Sequence, residues 1–329
     1  MSPQLRLTTA REGARLVGTG SYLPERVVTN DELALVMDTD DAWIRSRVGI
    51  ESRHRCAPGE TLVDMCTAAG RAALADAGVA AADIDAVIVA TCTPPTPVPN
   101  MAAQVASAVG ADGVAAFDLN TACAGFSYST AVAADMIRAG TATHVLVVGA
   151  EKFSDWIDPT DRSTAIIFAD GAGAAVLGPA EGTQGPTVGP VAWGSQGRDH
   201  EMIIIRDRTT FVEQEGQSVF RWATTAVAPV ALRALAQAGL GPADVDVLVP
   251  HQANLRIIDS LAKALIKVGM RPETVVARDI VHTGNTSAAS VPIALDHLRS
   301  AGEARSGDVA LLVGFGAGLS FAAQVVVLP

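Results

Sequence analysis

Short apolar runs alternate along this chain with longer stretches that carry almost no charge. Residues 114–119 (Val-Ala-Ala-Phe-Asp-Leu) read as a short buried strand. Residues 124–138 hold no charge before Asp135, so they read as a helix buried all round. Residues 86–91, 247–250 and 309–313 are further apolar runs of strand length. Residues 255–268 are different, because there the polar positions share a face. At about 100° per residue, Arg256, Lys263 and Lys267 fall within a stripe roughly 40° wide. Leu255, Ile258, Ala262, Leu265 and Ile266 make the opposite, apolar face.

The pattern occurs twice. At an offset of 161 residues, positions 73–85 lie over 234–246 with eight of thirteen identical and no gap. Each copy predicts a helix closed by a glycine (Gly78, Gly239), a short polar loop and a strand. The same offset brings Asp135 over Asp296, Arg138 over Arg299 and Cys123 over Gly284. A repeat this long is no solenoid unit. It predicts an α/β protein of two duplicated halves related by a pseudo-twofold, with parallel-rich sheets covered by helices. The two charge-poor helices are expected between the sheets. The halves are 1–180 and 181–329, divided at the linker-like residues 178–186.

Composition narrows the function. The 329 residues are 49% hydrophobic but only 4% aromatic, so the core is built from Ala, Val, Leu and Ile. The net charge of −11 argues against non-specific nucleic-acid binding. The four cysteines have no paired spacing, which predicts neither a disulfide framework nor a metal site. The first 15 residues are polar and no apolar run reaches membrane-spanning length, so a cytoplasmic protein is expected. Gly18 and Gly20 begin like a dinucleotide fingerprint, but the third glycine is missing and Pro24 stands where the helix should start.

Three loops carry candidate chemistry. Cys123 sits where the 114–119 strand turns into the charge-free helix, facing the positive end of its dipole. That position predicts a lowered pKa and a thiolate. Cys56, Cys66 and Cys92 read as small buried hydrophobes. His251 leaves the 247–250 strand, where a lone histidine is more often structural than catalytic. Asn285 precedes Thr286 and Ser287 at a helix entry, where an asparagine is commonly a cap. The repeat predicts that thiol, imidazole and carboxamide converge near the pseudo-twofold. The glycine-rich turn at 314–320 fits either tight packing or backbone N–H groups aimed at an oxyanion.

These residues carry a resemblance. GTGSYLPERVVTN (18–30), DDAWIRSRVGI (40–50), TACAGFSY (121–128), DPTDRST (158–164), FADGAGAAVLG (168–178), VPHQANLRII (249–258), HTGNTSAAS (282–290) and GFGAGLS (314–320) occur in the order found in ketoacyl synthase III enzymes of the thiolase superfamily. The chain resembles that family from about Arg15 to Pro329. The resemblance implies a thiolase-like five-layered αβαβα fold, a homodimer and a catalytic triad at Cys123, His251 and Asn285. It implies an oxyanion hole from the backbone amides of Cys123 and Ala317. Trp43 and Arg162 would sandwich the adenine of coenzyme A, with Arg47 near its phosphates. Gly216, Phe220 and Asn254 would line the pantetheine channel. Val98 would reach the acyl pocket of a neighbouring subunit. Arg221 and Arg256, with Lys263 and Lys267 along the same helix, would dock acyl carrier protein.

The activity so implied is decarboxylative condensation of an acyl-CoA primer with malonyl-ACP, initiating type II fatty-acid or polyketide synthesis, with no metal or redox cofactor. Asn285 fits this better than thiolysis, since a neutral amide holds an enolate but moves no proton. The alternatives are an acyltransferase of the same fold acting on an alcohol or amine, a non-catalytic dimer partner of a condensing enzyme, and a cysteine hydrolase. Residues 194–216 are more compact than the family pattern, which bears on the channel wall.

Overall fold

A computed structural model describes residues 8–180, 185 and 187–329. Within the predicted linker, residues 181–184 and 186 lie outside the described residues, as does the start of the polar N-terminal stretch, residues 1–7. Two five-stranded sheets form the frame. The first runs β1 (Ala14–Tyr22), β7 (Asp170–Pro179), β6 (Val145–Lys152), β4 (Ala86–Ala90), β5 (Ala115–Leu119). The second runs β8 (Val188–Ser195), β14 (Ser320–Val327), β13 (Val309–Gly316), β11 (Val247–Pro250), β12 (Val275–Val276). The orders match strand for strand. Each sheet is mixed: β4 is parallel to β5 and β6, and β11 to β12 and β13. The remaining two pairs of each sheet are antiparallel, so the expected parallel character holds only for the β6–β4–β5 and β13–β11–β12 sides.

Five layers result. Helices α3 (Leu62–Ala77) and α4 (Met101–Val109) cover the outer face of the first sheet. Helices α6 (Gly216–Gln237) and α7 (Leu255–Lys267) cover that of the second. Between the sheets lie α5 (Gly125–Arg138) and α9 (Ser290–Ser300), sharing one core with the inner faces of both. A helix between two sheets has no wet side, which is why the α5 sequence has no charge until its last turn. The outer helices need signals that a core cannot provide. Helix α3 opens on a Thr61/Asp64 capping box and closes on Gly78 in the left-handed region. Gly18 and Gly20 serve this packing too, since a Cβ on either would come within 2.4 Å of the Ala77 or 2.3 Å of the Ala73 backbone nitrogen.

The ribbon of β2 (Arg26–Thr29) with β3 (Ser52–Arg55), helices α1 (Asn30–Ala34), α2 (Asp41–Val48) and α8 (Ile280–Thr283), and the hairpin of β9 (Ile203–Ile204) with β10 (Glu213–Gln214) lie outside the layers. They contribute to a separate apolar cluster with Ile157 and residues 165–168. Arg53, fully buried, ties this cap down by donating to the Val28 and Ile166 carbonyls and to Asn30 Oδ1 (3.1, 3.0 and 2.8 Å).

The structure corrects the internal alignment. Among non-glycine residues, Ala122 and Ser287 share a left-handed backbone, φ +45° and +48°, each at the start of a matching helical entry. Their separation makes Ala288, not Gly284, the counterpart of Cys123, and Asn120 that of Asn285. The ungapped offset fails here because the second half carries α8 before its helical entry.

Candidate active site

Cys123 belongs to the single turn Ala122–Ala124 between β5 and α5. Asn120 holds that turn by accepting the Ala122 N–H at Oδ1, 3.1 Å. Asn285 does the same across the pseudo-twofold, accepting the Ser287 N–H at 2.8 Å. This bond consumes the carbonyl side of the Asn285 amide and leaves its NH2 as donor. The Asn285 backbone is fixed as well, donating to the Ile167 carbonyl and accepting from the Ala169 N–H, both 2.9 Å. His251 emerges from β11, its N–H bound to the Val313 carbonyl at 2.7 Å and its ring edge-on to Phe315 at 5.2 Å. All three side chains are buried and line one cavity of about 1050 Å³.

Burial decides their protonation. It pushes the Cys123 thiol up to about 11, outweighing the Ser287 hydroxyl and the backbone amides of Ala317 and Cys123, which favour the thiolate. The expected low-pKa thiolate is therefore corrected: Cys123 rests as a neutral thiol at physiological pH. Burial also drives His251 down to about 3, so its imidazole is neutral at physiological pH. Ser290 Oγ lies 2.7 Å from His251 Nδ1 and accepts the Gln252 N–H at 3.2 Å. Among the described residues Nδ1 is the one acceptor facing the hydroxyl proton, which assigns the ring proton to Nε2. Ser290→Ala should therefore lower enolate-forming decarboxylation about tenfold, the worth of one hydrogen bond. Acyl transfer to the thiol should stay within about twofold. Carbon dioxide release measured beside acylation reads both.

The glycine-rich turn packs directly against the thiol. A Cβ on Gly316 would lie 2.6 Å from Cys123 Cβ and 2.8 Å from its sulfur. Its absence lets the chain pass close to the thiol, where the Ala317 amide favours the thiolate. The amides of Cys123 and Ala317 act on the thiol in the same direction.

Toward solvent the cavity is basic and aromatic. The Arg162 guanidinium lies 4.5 Å from the Trp43 ring centre and Arg47 lies 5.5 Å from it. A flat ring between Trp43 and Arg162 needs about 7 Å, two contacts of about 3.5 Å, so the expected sandwich is closed. Arg162 is exposed, donates to the Asp38 carbonyl at 2.8 Å and lies 4.0 Å from the Asp38 carboxylate, so opening the pair costs surface contacts alone. Gly216, Phe220 and Asn254 line the cavity. Both ends of the Asn254 side chain are engaged: Oδ1 caps α7 at the Arg256 N–H (2.9 Å) and the amide NH2 donates to the Arg47 carbonyl (3.2 Å). Arg221 and Arg256 line the mouth, with Arg256 5.0 Å over the Phe220 ring. Lys263 and Lys267 are exposed further along α7 and do not line it. Ile266, assigned to the buried face of that helix, is 38% exposed because it lies at the edge beside Lys267. Val98, 80% exposed on its proline-rich loop, is not part of its own chain's cavity.

Other wall residues escaped sequence reasoning. The compact 194–216 segment forms β9–β10, and it puts Ile203, Ile204 and Ile205 on the cavity wall; their one signal is the apolar run at 202–205. Cys92, read as structural, lines the cavity beside Ser287. Glu151 follows the apolar run 145–150 in β6, one residue before its end at Lys152.

Two duplicated halves that bury a thiol and an amide donor where their central helices begin, with a neutral imidazole at a strand exit on the same cavity, define a condensing enzyme of thiolase type. Models of the 3-oxoacyl-[acyl-carrier-protein] synthase III family match residues 117–197 and, for its C-terminal part, 235–328. The chain is 49% identical over 337 residues to the mycobacterial β-ketoacyl-[acyl-carrier-protein] synthase III of Mycobacterium avium, covering 99% of each. It is 48% identical to β-ketoacyl-[acyl-carrier-protein] synthase III 1 of Streptomyces coelicolor, covering 96% of each. The priming β-ketosynthase of a polyketide biosynthetic pathway superposes with TM-score 0.93 at 43% identity, covering 99% of each chain. The Aquifex aeolicus synthase III structure gives 0.90 at 37%, covering 96% of this chain and 100% of that one. This chain belongs to the 3-oxoacyl-[acyl-carrier-protein] synthase III family.

Proposed function

We infer that the protein condenses an acyl-CoA primer with malonyl-ACP, releasing carbon dioxide and giving 3-oxoacyl-ACP. The observation that supports this reading is one cavity gathering a buried thiol, a neutral imidazole and the Asn285 amide, a donor that moves no proton. Cys123 attacks the primer thioester, and the Cys123 and Ala317 amides hold the tetrahedral oxyanion. Coenzyme A departs. Malonyl-ACP then places its thioester carbonyl between His251 and Asn285. As the carboxylate leaves as carbon dioxide, its bonding electrons form an enolate on that oxygen, and both bonds strengthen. The enolate carbon attacks the acyl-Cys123 carbonyl and the sulfur is released. The Cys123 sulfur pair makes the acyl-enzyme bond, the carboxylate's bonding pair makes the new carbon–carbon bond, and the released thiolate regains its proton from solvent, so we propose that no metal or redox cofactor takes part. A panel of acyl-CoAs with malonyl-ACP, read by product mass, tests the whole reading; acyl transfer to alcohols or amines without 3-oxoacyl-ACP would replace it.

We further propose a cytoplasmic homodimer in which Val98 meets the acyl pocket of the adjoining subunit. In the same panel Val98→Phe should shift preference from longer or branched primers to acetyl. An unchanged preference removes Val98 from the pocket.

The carrier-protein surface is proposed on α7. Arg221 and Arg256 flank the mouth, and Lys263 continues the basic stripe about 10 Å along the helix. Acyl carrier proteins are acidic and this chain carries −11, so a local basic face is needed for encounter. Arg256→Glu with Lys263→Glu should raise KM for malonyl-ACP several-fold and flatten its salt dependence. Acylation by acyl-CoA should change little. A wild-type KM at low salt would place the carrier elsewhere.

A further inference from the structure

Glu151 is fully buried on β6 and stands behind the stretch of cavity wall formed by Cys92, Asn285 and Ser287. Oε2 accepts from Thr93 Oγ1 (2.6 Å), Thr91 Oγ1 (3.1 Å) and the Cys92 N–H (3.1 Å), which fixes the loop after β4. Both threonine oxygens already accept a backbone N–H, Thr93 from Lys152 (2.9 Å) and Thr91 from Thr93 (3.2 Å), which leaves their single protons for the carboxylate. Oε1 reaches the other half of the molecule. It accepts from Ser287 Oγ (3.1 Å) as well as from the Cys92 thiol and N–H (both 3.2 Å).

Ser287 is the residue on which the Asn285 amide depends. Its N–H holds Asn285 Oδ1 at 2.8 Å, which leaves the amide NH2 for the cavity. A flipped amide would turn a lone pair toward an enolate oxygen. Ser287 has φ +48°, a backbone that a non-glycine residue keeps only where its surroundings hold it. Residues 149 and 151, on one face of β6, supply that hold. Gly149 seats the turn, since a Cβ there would come within 2.3 Å of the Ala288 carbonyl oxygen, and Glu151 anchors the Ser287 hydroxyl. The matching turn across the pseudo-twofold lacks the second device. Asn120 caps it at the Ala122 N–H (3.1 Å), but Ala122, φ +45°, has no hydroxyl to anchor. The carboxylate clamp is thus confined to the half that carries the enolate donor.

We propose that Glu151 is a positioning residue for decarboxylation: through Ser287 it fixes the Asn285 amide as a donor to the enolate oxygen, a role that rests on Asn285 being the enolate donor proposed above. A hydrogen bond to a carboxylate is charge-assisted and stronger than one to a neutral acceptor, so Glu holds the hydroxyl more firmly than Gln would. The Asn285 backbone is pinned separately at Ile167 and Ala169, so losing the clamp frees the turn and the amide rather than the whole segment. Acyl transfer uses the Cys123 and Ala317 amides, and Glu151 bonds neither. A buried anion near a developing enolate also opposes the reaction by repulsion. The clamp and the charge therefore act in opposite directions, and the sign of the change on neutralising Glu151 shows which is larger.

The test is a double-mutant cycle read on carbon dioxide release from malonyl-ACP, with radiolabelled acyl transfer to Cys123 measured beside it. Glu151→Gln keeps the shape of the side chain and one acceptor oxygen. It should slow decarboxylation about tenfold, the worth of one charge-assisted bond, and leave acylation within about twofold. Made in Asn285→Ala, the same change should alter decarboxylation by less than about twofold; made in His251→Ala, by the full factor of about ten. A residue that merely supports the fold would slow both half-reactions and act equally in both backgrounds. If Glu151→Gln does not fold, Ser287→Ala, which removes the hydroxyl alone, should show the same dependence on Asn285. An equal effect in the two backgrounds overturns the proposal, as does faster decarboxylation in Glu151→Gln, which would make repulsion of the enolate the larger effect. Wild-type decarboxylation by Asn285→Ala alone would instead overturn the donor role given to Asn285, and the positioning role with it.

Discussion

Cys123→Ala should abolish acyl transfer and condensation while leaving part of the malonyl-ACP decarboxylation in place. The covalent route divides one difficult displacement into two easier ones, and the thiol is the group that makes the division possible. Losses on the order of 10⁴-fold or more accompany removal of a nucleophile whose partners act with it as a unit. The sulfur takes no part in stabilising the enolate, and the His251 and Asn285 donors remain. The change deletes one atom at the edge of an open cavity, so the fold should tolerate it. Radiolabelled acyl transfer and carbon dioxide release, measured on one preparation, separate the two half-reactions. Near-normal condensation by Cys123→Ala would mean that another residue carries the acyl group.

His251→Ala and Asn285→Ala should produce the reverse split. Each removes one of two donors at the oxygen where charge develops, a loss of about 2.7–4 kcal/mol or 10²–10³-fold in decarboxylation. Acylation, which uses the Cys123 and Ala317 amides instead, should fall by less than about tenfold. Asn285→Ala carries a second consequence. Its Oδ1 supports the Ser287 N–H in a left-handed turn, so a modest drop in melting temperature should accompany the kinetic loss. His251 adds a pH test. Its pKa is depressed to about 3, so the imidazole carries no charge above that value and gains one only below it. Wild-type decarboxylation should show no His251 titration between pH 5 and 8. A break near 6.5 would indicate a solvated imidazole, and acylation lost with decarboxylation intact would exchange the roles of the two donor sets.

Much of this was legible in the chain because the signals are local. The absence of charge before Asp135 announces a helix with no wet face, and the structure puts α5 between two sheets. The repeat at 73–85 and 234–246 reflects the same helix–loop–strand unit folded twice, and the two sheets share one strand order. The positions of Cys123, His251 and Asn285 at strand exits and helix entries follow from short-range pattern alone.

Other features depend on atoms far apart in sequence. The pairing of Asn285 with Asn120 was hidden because α8 shifts the second half relative to a gapless alignment. Ile203, Ile204 and Ile205 become cavity wall only when the β9–β10 hairpin folds over the mouth. Cys92 looks like any small buried hydrophobe until Glu151 and Ser287 meet it from β6 and the α9 entry. The protonation of Cys123 and His251 could not be read from neighbours in sequence. The helix start beside Cys123 argues for a thiolate, but desolvation depends on every layer stacked around the thiol, and that nonlocal cost is the larger effect. Sequence pattern determined which groups arrive at the site; the packed layers decided which of them hold protons.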